Sequence, residues 1–195
     1  MAVERRYTDY TAEQYLALDF ESEHMRLEYD RGVILAMAGA SRDHILITGH
    51  INTWFDRQLV GKDCVSYPAE MKVALPQESY FYPDVVVSCG KEEYEKRPAG
   101  IFVLLNPMIV VEVSSSSTVH LDRTRKYEVY TSMPSVQHYV LVAQDAIRVT
   151  HYRRTLEGWT TDVYTYVSQS LDFGEMGQMS VADIYDKVSW LAGNA

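Results

Sequence analysis

Two carboxylates stand where a core strand has little ordinary use for one. Asp84 heads the apolar run Val85-Val86-Val87-Ser88-Cys89, and Glu112 interrupts the run from Met108 to Val113. Taking an ionised carboxylate out of water is costly unless a cation or hydrogen-bond donors replace the solvent, so a pair of them at strand positions invites a bound metal. Their hard oxygen atoms suit Mg2+ or Mn2+. Asp122, Lys126 and Tyr130 follow at i, i+4 and i+8, which sets all three along one face of a helix and lets Lys126 point back toward the strand of Glu112. Each residue also has a plainer use: Asp84 starting a strand after Pro83, Glu112 pairing with an arginine at a sheet margin, Asp122 and Lys126 forming an exposed helix pair. From the residues alone both readings stay open.

Other chemistries find less support. His50, His120, His138 and His151 lack HxxxH spacing, which argues against a zinc hydrolase. No GxSxG elbow surrounds Ser114 to Ser117 and no glycine-rich loop is present to cradle phosphates, so a serine hydrolase and a nucleotide cofactor are set aside. His44, near a helix start, reads as a cap or packing residue, with phosphate contact or an accessory acid as the alternative. Arg42, Lys72, Arg123 and Arg125 could line a groove for phosphates, although scattered basic residues usually serve solubility.

The elements that must position these side chains follow from pattern. Thr11 and Gln14 have the form of a capping box opening a short helix through AEQYLALDF. MRLEYD and VILAM flank Asp30-Arg31-Gly32 as a β-hairpin, with Glu28 on its first strand. Ser41 caps a helix in which Ile47, Ile51 and Trp54 recur at helical spacing and Gly61 supplies the stop. DCVSYP, EMKVALP and YPDVVVSC read as strands; the last of them and MIVVEV are nearly all apolar, as suits strands covered on both faces. KEEYEKRPAG reads as a solvated loop. TVHLDRTRKYEVYTS, closed by Pro134, is a helix packed beside the central strand, and VQHYVLVA, AIRVTHYRR and GWTTDVYTY form a terminal antiparallel meander. Ser180 caps a last helical turn.

With 195 residues, 47% hydrophobic and 23% charged, the expected product is one compact α/β domain over 1–195, its core spanning about 10–188. No segment has the length and apolarity of a membrane span or the form of a signal peptide, so a cytoplasmic protein without a membrane partner is expected. Cys64 and Cys89 sit in apolar, strand-like stretches and are expected to be buried free thiols. The net charge of −9 repels polyanions at long range, so any surface for nucleic acid must be local. Tyr139, Tyr152, Trp159, Tyr164 and Tyr166 concentrate in the meander and offer a face for a homodimer.

The order of Glu28 in LEYDRG, His44 after a serine-containing loop, Tyr82-Pro83-Asp84-Val85-Val86-Val87, Val111-Glu112-Val113-Ser114, and Asp122-Arg123 with Lys126 and Tyr130 resembles the Uma family of restriction endonucleases. The likeness runs from Tyr10 to the terminal IYDKV. Through that family the chain resembles the PD-(D/E)xK nucleases, which implies a restriction-endonuclease-like mixed sheet flanked by helices and Mg2+-dependent hydrolysis of phosphodiester bonds, with DNA as the nucleic-acid partner. Pro83-Asp84 supplies the first half of the motif and Glu112 the acidic member of the second, while Ser114 stands where a lysine belongs. The resemblance implies that Lys126 has taken over that lysine's role. It further implies that Asp84, Glu112 and the Val113 backbone carbonyl hold Mg2+ or Mn2+, that Glu28 is an outer carboxylate, and that Lys126 orients the attacking water. His44, Asp122 and Tyr130 are accessory on this reading. The acidic charge and the serine at 114 keep a second reading open, a catalytically inactive nuclease-fold protein that binds nucleic acid or a protein partner.

Overall fold

Strand periodicity of two decides which way each side chain of the valine runs faces. In the computed structural model, which describes residues 6–22, 26–37, 39–96, 102–115 and 118–191, β7 (Val85–Cys89) and β10 (Ile109–Ser114) lie antiparallel, with Val87 opposite Ile109 and Val85 opposite Val111. They form the middle of a mixed six-stranded sheet with β4 (Cys64–Pro68), β11 (His138–Ala143), β12 (Val149–Thr155) and β13 (Gly158–Tyr164), in the order β13-β12-β11-β10-β7-β4. β10 and β11 run parallel, which requires the intervening helical crossover. The expected meander is β11-β12-β13.

Odd-numbered valines of β7 and β10 face α2 (Arg42–Gln58), where Ile47, Ile51 and Phe55 pack on Val85, Val87, Ile109, Val111 and Val113. The even-numbered Val86 and Val110 face the other way, onto α4 (Tyr127–Ser132), through Val129 and Tyr130, and onto a second sheet. That sheet has seven strands: β1 (Arg6–Tyr7), β2 (Leu27–Asp30), β3 (Val33–Ala36), β5 (Lys72–Leu75), β6 (Ser79–Phe81), β8 (Tyr94–Lys96) and β9 (Phe102–Leu104), ordered β1-β3-β2-β6-β5-β9-β8. α1 (Ala12–Glu21), opened by the expected capping box on Thr11 and Gln14, lays Tyr15 flat on Tyr29 at 5.0 Å between centroids. The fold is thus the expected mixed α/β arrangement, with two sheets instead of one.

The hairpin β2-β3 closes through two residues, Arg31 and Gly32, with φ of 46° and 92°. Both are left-handed, the sense that matches strand twist in a two-residue turn. Gly61, with φ of 75°, ends the region after α2 as anticipated. The helix after Ser115 departs from expectation: α3 (Val119–Leu121) passes into a π-helical segment, Asp122–Lys126, before α4. There the Thr124 hydroxyl donates to the His120 carbonyl at 2.7 Å, competing with the regular ladder. Within the expected loop KEEYEKRPAG, 94–96 pair with β9 as β8, while 97–101 lie outside the described residues, as do 116–117 of the serine run. A ribbon of β14 (Ser170–Asp172) and β15 (Gln178–Ser180) precedes α5 (Val181–Ile184), the short helix capped by Ser180.

Two further expectations are corrected. Cys64 and Cys89 are not free thiols; they face each other directly across β4 and β7, Cα atoms 4.0 Å apart, and form a disulfide. Apolar flanks identify a strand but say nothing about which residue sits opposite. The cytoplasmic expectation loses the support it drew from free thiols. The aromatic residues of the meander mostly serve the interior: Tyr139 is fully buried, and Tyr152 and Trp159 pack against the same cluster. Tyr164 packs against the core on the other face, and Tyr166 stays exposed. Among the described residues no helix is long and apolar enough to cross a membrane.

The bridge closes a loop over a sequence separation of 25, for which chain entropy supplies about 3 kcal/mol. Urea denaturation with and without a phosphine reductant should therefore differ by about that amount, with unchanged denaturation refuting the bridge's contribution. A second prediction concerns acid. His138 Nδ1 and His151 Nε2 are 2.9 Å apart with Phe173 against both rings, and among the described residues His151 Nδ1 has no hydrogen-bond partner. Burial, with the charge of Arg153, lowers His138 to about 4; burial, with His138 and Arg153, lowers His151 to about 3. An unfolded chain takes up protons on both below about pH 6.5, whereas the folded one does not. Stability should fall as pH drops from that value toward 4, and His151→Phe should make the thermal midpoint less steeply pH-dependent over this window.

Candidate active site

Glu112 lies between Ser114 and the apolar Val110 on the face of β10 that meets α4. Asp84 immediately precedes β7 and shares the face of Val86, so the two expected carboxylates reach the same side of adjacent strands. The second sheet contributes Glu28. Alternation in β2 sends Leu27 and Tyr29 into the tyrosine cluster with Tyr15, which turns Glu28 and Asp30 toward the π-helical segment. That segment supplies Asp122 and Lys126. Glu28, Asp84, Glu112, Asp122 and Lys126 are each no more than 7% exposed.

The Lys126 ammonium donates to Glu28 Oε1 at 3.1 Å and to Glu112 Oε1 at 3.0 Å, and lies 3.8 Å from Asp122 Oδ1. Its Nζ also sits 5.1 Å from the centre of the Phe81 ring. Tyr130 donates its hydroxyl to Glu112 Oε1 at 3.3 Å, and the Tyr82 N–H donates to Glu28 Oε1 at 3.0 Å. Asp84 accepts the Val113 N–H on Oδ2 at 2.6 Å and meets His44 Nε2 at 2.8 Å on Oδ1. Asp122 accepts the Ser114 hydroxyl at 2.8 Å, and its carbonyl accepts that of Tyr139 at 2.9 Å.

Four buried carboxylates, three of them around Lys126 and the fourth against His44, leave negative charge in excess, and the proton affinities follow. Burial pushes Glu112 well above the usual carboxylate range; Lys126 opposes this, while Asp122, Asp84 and Glu28 add to it. Glu28 is raised by burial against the pull of Lys126 and the Tyr82 N–H. For Lys126, burial favours the neutral amine, but Glu112, Glu28 and Asp122 outweigh it and hold the ammonium charged far above its ordinary range. His44 behaves alike: burial works against its charged form, and the hydrogen bond and charge of Asp84 overcome that to raise it.

The structure therefore brings together Glu28, His44, Asp84, Glu112, Val113, Asp122, Lys126 and Tyr130. Burial excludes the exposed-pair use of Asp122 and Lys126, and Glu28 on the hairpin is buried with them. The His44 backbone N–H donates to the Ser41 cap at 3.1 Å, as its place at the helix start implied, and its ring reaches Asp84. Tyr130 is likewise both core and hydrogen-bond donor. The part played by Ser114 was not anticipated: it holds Asp122, which belongs to the same turn as Lys126. Nor was the role of Tyr82, whose N–H fixes Glu28 and whose hydroxyl donates to Asp19 at 2.9 Å. Of the four basic residues considered for phosphates, two are committed elsewhere: Lys72 is buried on Asp19, and Arg125 grips both oxygens of Asp30 at 2.7 and 2.9 Å.

Carboxylate oxygens on strand ends with a lysine beside them form the kind of centre found in hydrolases that act on phosphate esters. Among the described residues no three histidine, cysteine, aspartate or glutamate side chains converge as a ready-made cage for an ion. Asp84 and Glu112 nonetheless suit Mg2+, which takes one or two carboxylates and fills its remaining positions with water and substrate oxygens.

The fold comparison supports the architecture, and the sequence comparison gives the family. A solved structure from Anabaena variabilis ATCC 29413, described as "a putative nuclease", superposes with a TM-score of 0.69 over 93% of this chain and 99% of its own, at 16% identity. The profile of the Uma2 family, described as "Putative restriction endonuclease", matches residues 12–180, and the chain belongs to that family. Two uncharacterized proteins of Synechocystis sp. are similar along most of their length. One, slr1290, is 30% identical over 173 residues, 88% of each chain; the other, sll1609, is 29% identical over 145 residues, 74% of this chain and 80% of its own.

Removing the cation while leaving its buried partners should be severe. Lys126→Met is expected to lower the unfolding free energy by about 3–5 kcal/mol, the usual penalty for an orphaned buried charge. Adding Glu112→Gln should restore part of that loss in chemical denaturation. A single variant as stable as the parent would show that the lysine is not compensating these carboxylates.

Proposed function

We propose that the protein is a metal-dependent endonuclease that hydrolyses phosphodiester bonds in DNA, with Asp84, Glu112 and Lys126 at its catalytic centre. One observation carries the reading: in a member of a family described as restriction endonucleases, the Lys126 ammonium lies 3.0 Å from Glu112 among four buried carboxylates. Hydrolysis needs a water oxygen to bond to phosphorus while an ester P–O bond breaks and its oxygen gains a proton. Asp84 and Glu112, with the Val113 carbonyl beside them and Glu28 as an outer carboxylate, would hold Mg2+ or Mn2+. Bound there, the ion supplies positive charge against the phosphate and acidifies water.

The chain's own groups account for the rest. The Val113 N–H and His44 fix Asp84 from both oxygens, so its orientation is set before substrate arrives. Lys126, held charged and anchored by Glu28 and Glu112, presents its ammonium to the attacking water or to charge building on the phosphate. Tyr130 and Ser114 keep Glu112 and Asp122 in place. His44, partly exposed and raised by Asp84, keeps its proton to higher pH than an ordinary imidazole and suits the accessory acid. The serine at 114 favours one alternative, a nuclease-fold protein that binds metal and nucleic acid without cutting.

Incubation with supercoiled DNA, linear DNA and RNA in Mg2+ or Mn2+ tests both readings. Asp84→Asn, Glu112→Gln and Lys126→Met should each reduce cleavage by about 100-fold or more. Activity that survives all three overturns the assignment, and carboxylate-dependent Mn2+ binding without cleavage favours the alternative. The pH dependence has a definite sign. Glu112 carries its proton to higher pH than a free glutamate, and that proton competes with the ion, so Mn2+ affinity by calorimetry should strengthen as pH rises above about 4.5. Glu112→Gln should flatten this rise.

A further inference from the structure

A groove of about 390 Å3 opens beside the carboxylate cluster, lined by Asp30, Arg31, Val33, Leu35 and Leu121. Strand register fixes where it lies. Leu35 is paired with Glu28 across the hairpin, and Leu121 directly precedes Asp122, so its walls adjoin two of the buried acids. The lining is apolar apart from Asp30 and Arg31. Asp30 is gripped by Arg125 and by the Ser79 hydroxyl, and Arg31 lies 3.5 Å from it with a side chain 56% exposed. With Arg125 satisfying Asp30, the exposed Arg31 leaves one guanidinium free to meet a ligand at the mouth of the groove on a chain of net charge −9. The turn is pre-formed as well: the Tyr10 N–H donates to the Gly32 carbonyl at 3.1 Å, and the Tyr29 hydroxyl donates to the Tyr10 carbonyl at 2.9 Å.

We infer that this groove receives an unstacked nucleobase from the strand being cut, seated against Val33, Leu35 and Leu121 with Arg31 at its edge, so that the substrate is single-stranded or locally unpaired. The inference rests on the nuclease reading and specifies its substrate class. An acidic chain gains little from long-range attraction to phosphates, and a duplex, with its denser charge, is the more strongly repelled of the two forms. Affinity must then come from short-range contact with bases, which a duplex keeps stacked and a single strand offers freely. The volume is at the low end for small-ligand pockets, suited to a base with its sugar and too small for a helix.

Methyl-detected NMR on the full chain tests the subsite without any cleavage. Deoxyadenosine monophosphate should shift the methyl signals of Val33, Leu35 and Leu121, and inorganic phosphate or deoxyribose 5-phosphate should not; equal responses to all three, or none, overturn the inference. Leu121→Glu should abolish the shifts, and Arg31→Ala, at an exposed position, provides an independent variant should the first disturb folding. In Mn2+, single-stranded oligonucleotides should be cut at least about tenfold faster than the matching duplex, and either variant should raise KM about tenfold with little change in kcat. Equal cutting of both forms, insensitive to the two variants, refutes the base subsite while leaving the nuclease intact. Base-dependent shifts in a protein that cuts nothing would sink the catalytic reading and keep the subsite.

Discussion

A single ammonium group, that of Lys126, is what permits three carboxylates, those of Glu28, Glu112 and Asp122, to be buried together. It touches Glu112 on one sheet and Glu28 on the other and neighbours Asp122 on its own helix. Bridging two sheets through one buried cation ties their relative placement to electrostatics as well as to apolar packing. Isolated from water, such charges interact far more strongly than at a surface, and a missing partner is correspondingly expensive. The imbalance that remains is expressed in Glu112, whose proton affinity is raised by burial and by the neighbouring acids.

Three other cations of the chain are occupied with structure. Lys72 is buried on Asp19, and Arg125 locks Asp30. Arg154 donates to the carbonyls of Thr131, Met133 and Val136, closing the C-terminal end of α4 while lying over Trp159 at 4.5 Å. These commitments take three cations out of the reach of any external anion.

Much of this was legible in the sequence because it depends on local pattern. The Thr11 and Ser41 caps, the Arg31-Gly32 turn and the valine runs that become β7 and β10 all follow from rules acting within a few residues. The acids at 84 and 112 were conspicuous for the same reason, being charges inside apolar runs. What depends on partners distant in sequence was not legible. The short strands β6, β9, β14 and β15 gain their identity from neighbours, and the disulfide from the register of β4 against β7. Sheet register likewise makes Glu28 an interior residue, although a glutamate in a hairpin ordinarily faces water. The π-helical turn at Asp122–Lys126 has no simple compositional signature, and the hydroxyl of Ser114 acquires meaning only once Asp122 is opposite it.

Glu28 and Lys126 are 98 residues apart in the chain, and their hydrogen bond joins the first hairpin to a helix well past the midpoint. No shorter stretch of polypeptide contains both ends of the cluster. During synthesis, then, an emerging chain has the hairpin long before it has the lysine, and ribosome-bound intermediates carry acids without their counter-charge. Whatever chemistry the cluster performs is withheld until the chain has been made through Lys126 and the crossover has docked, a built-in delay set by sequence separation alone.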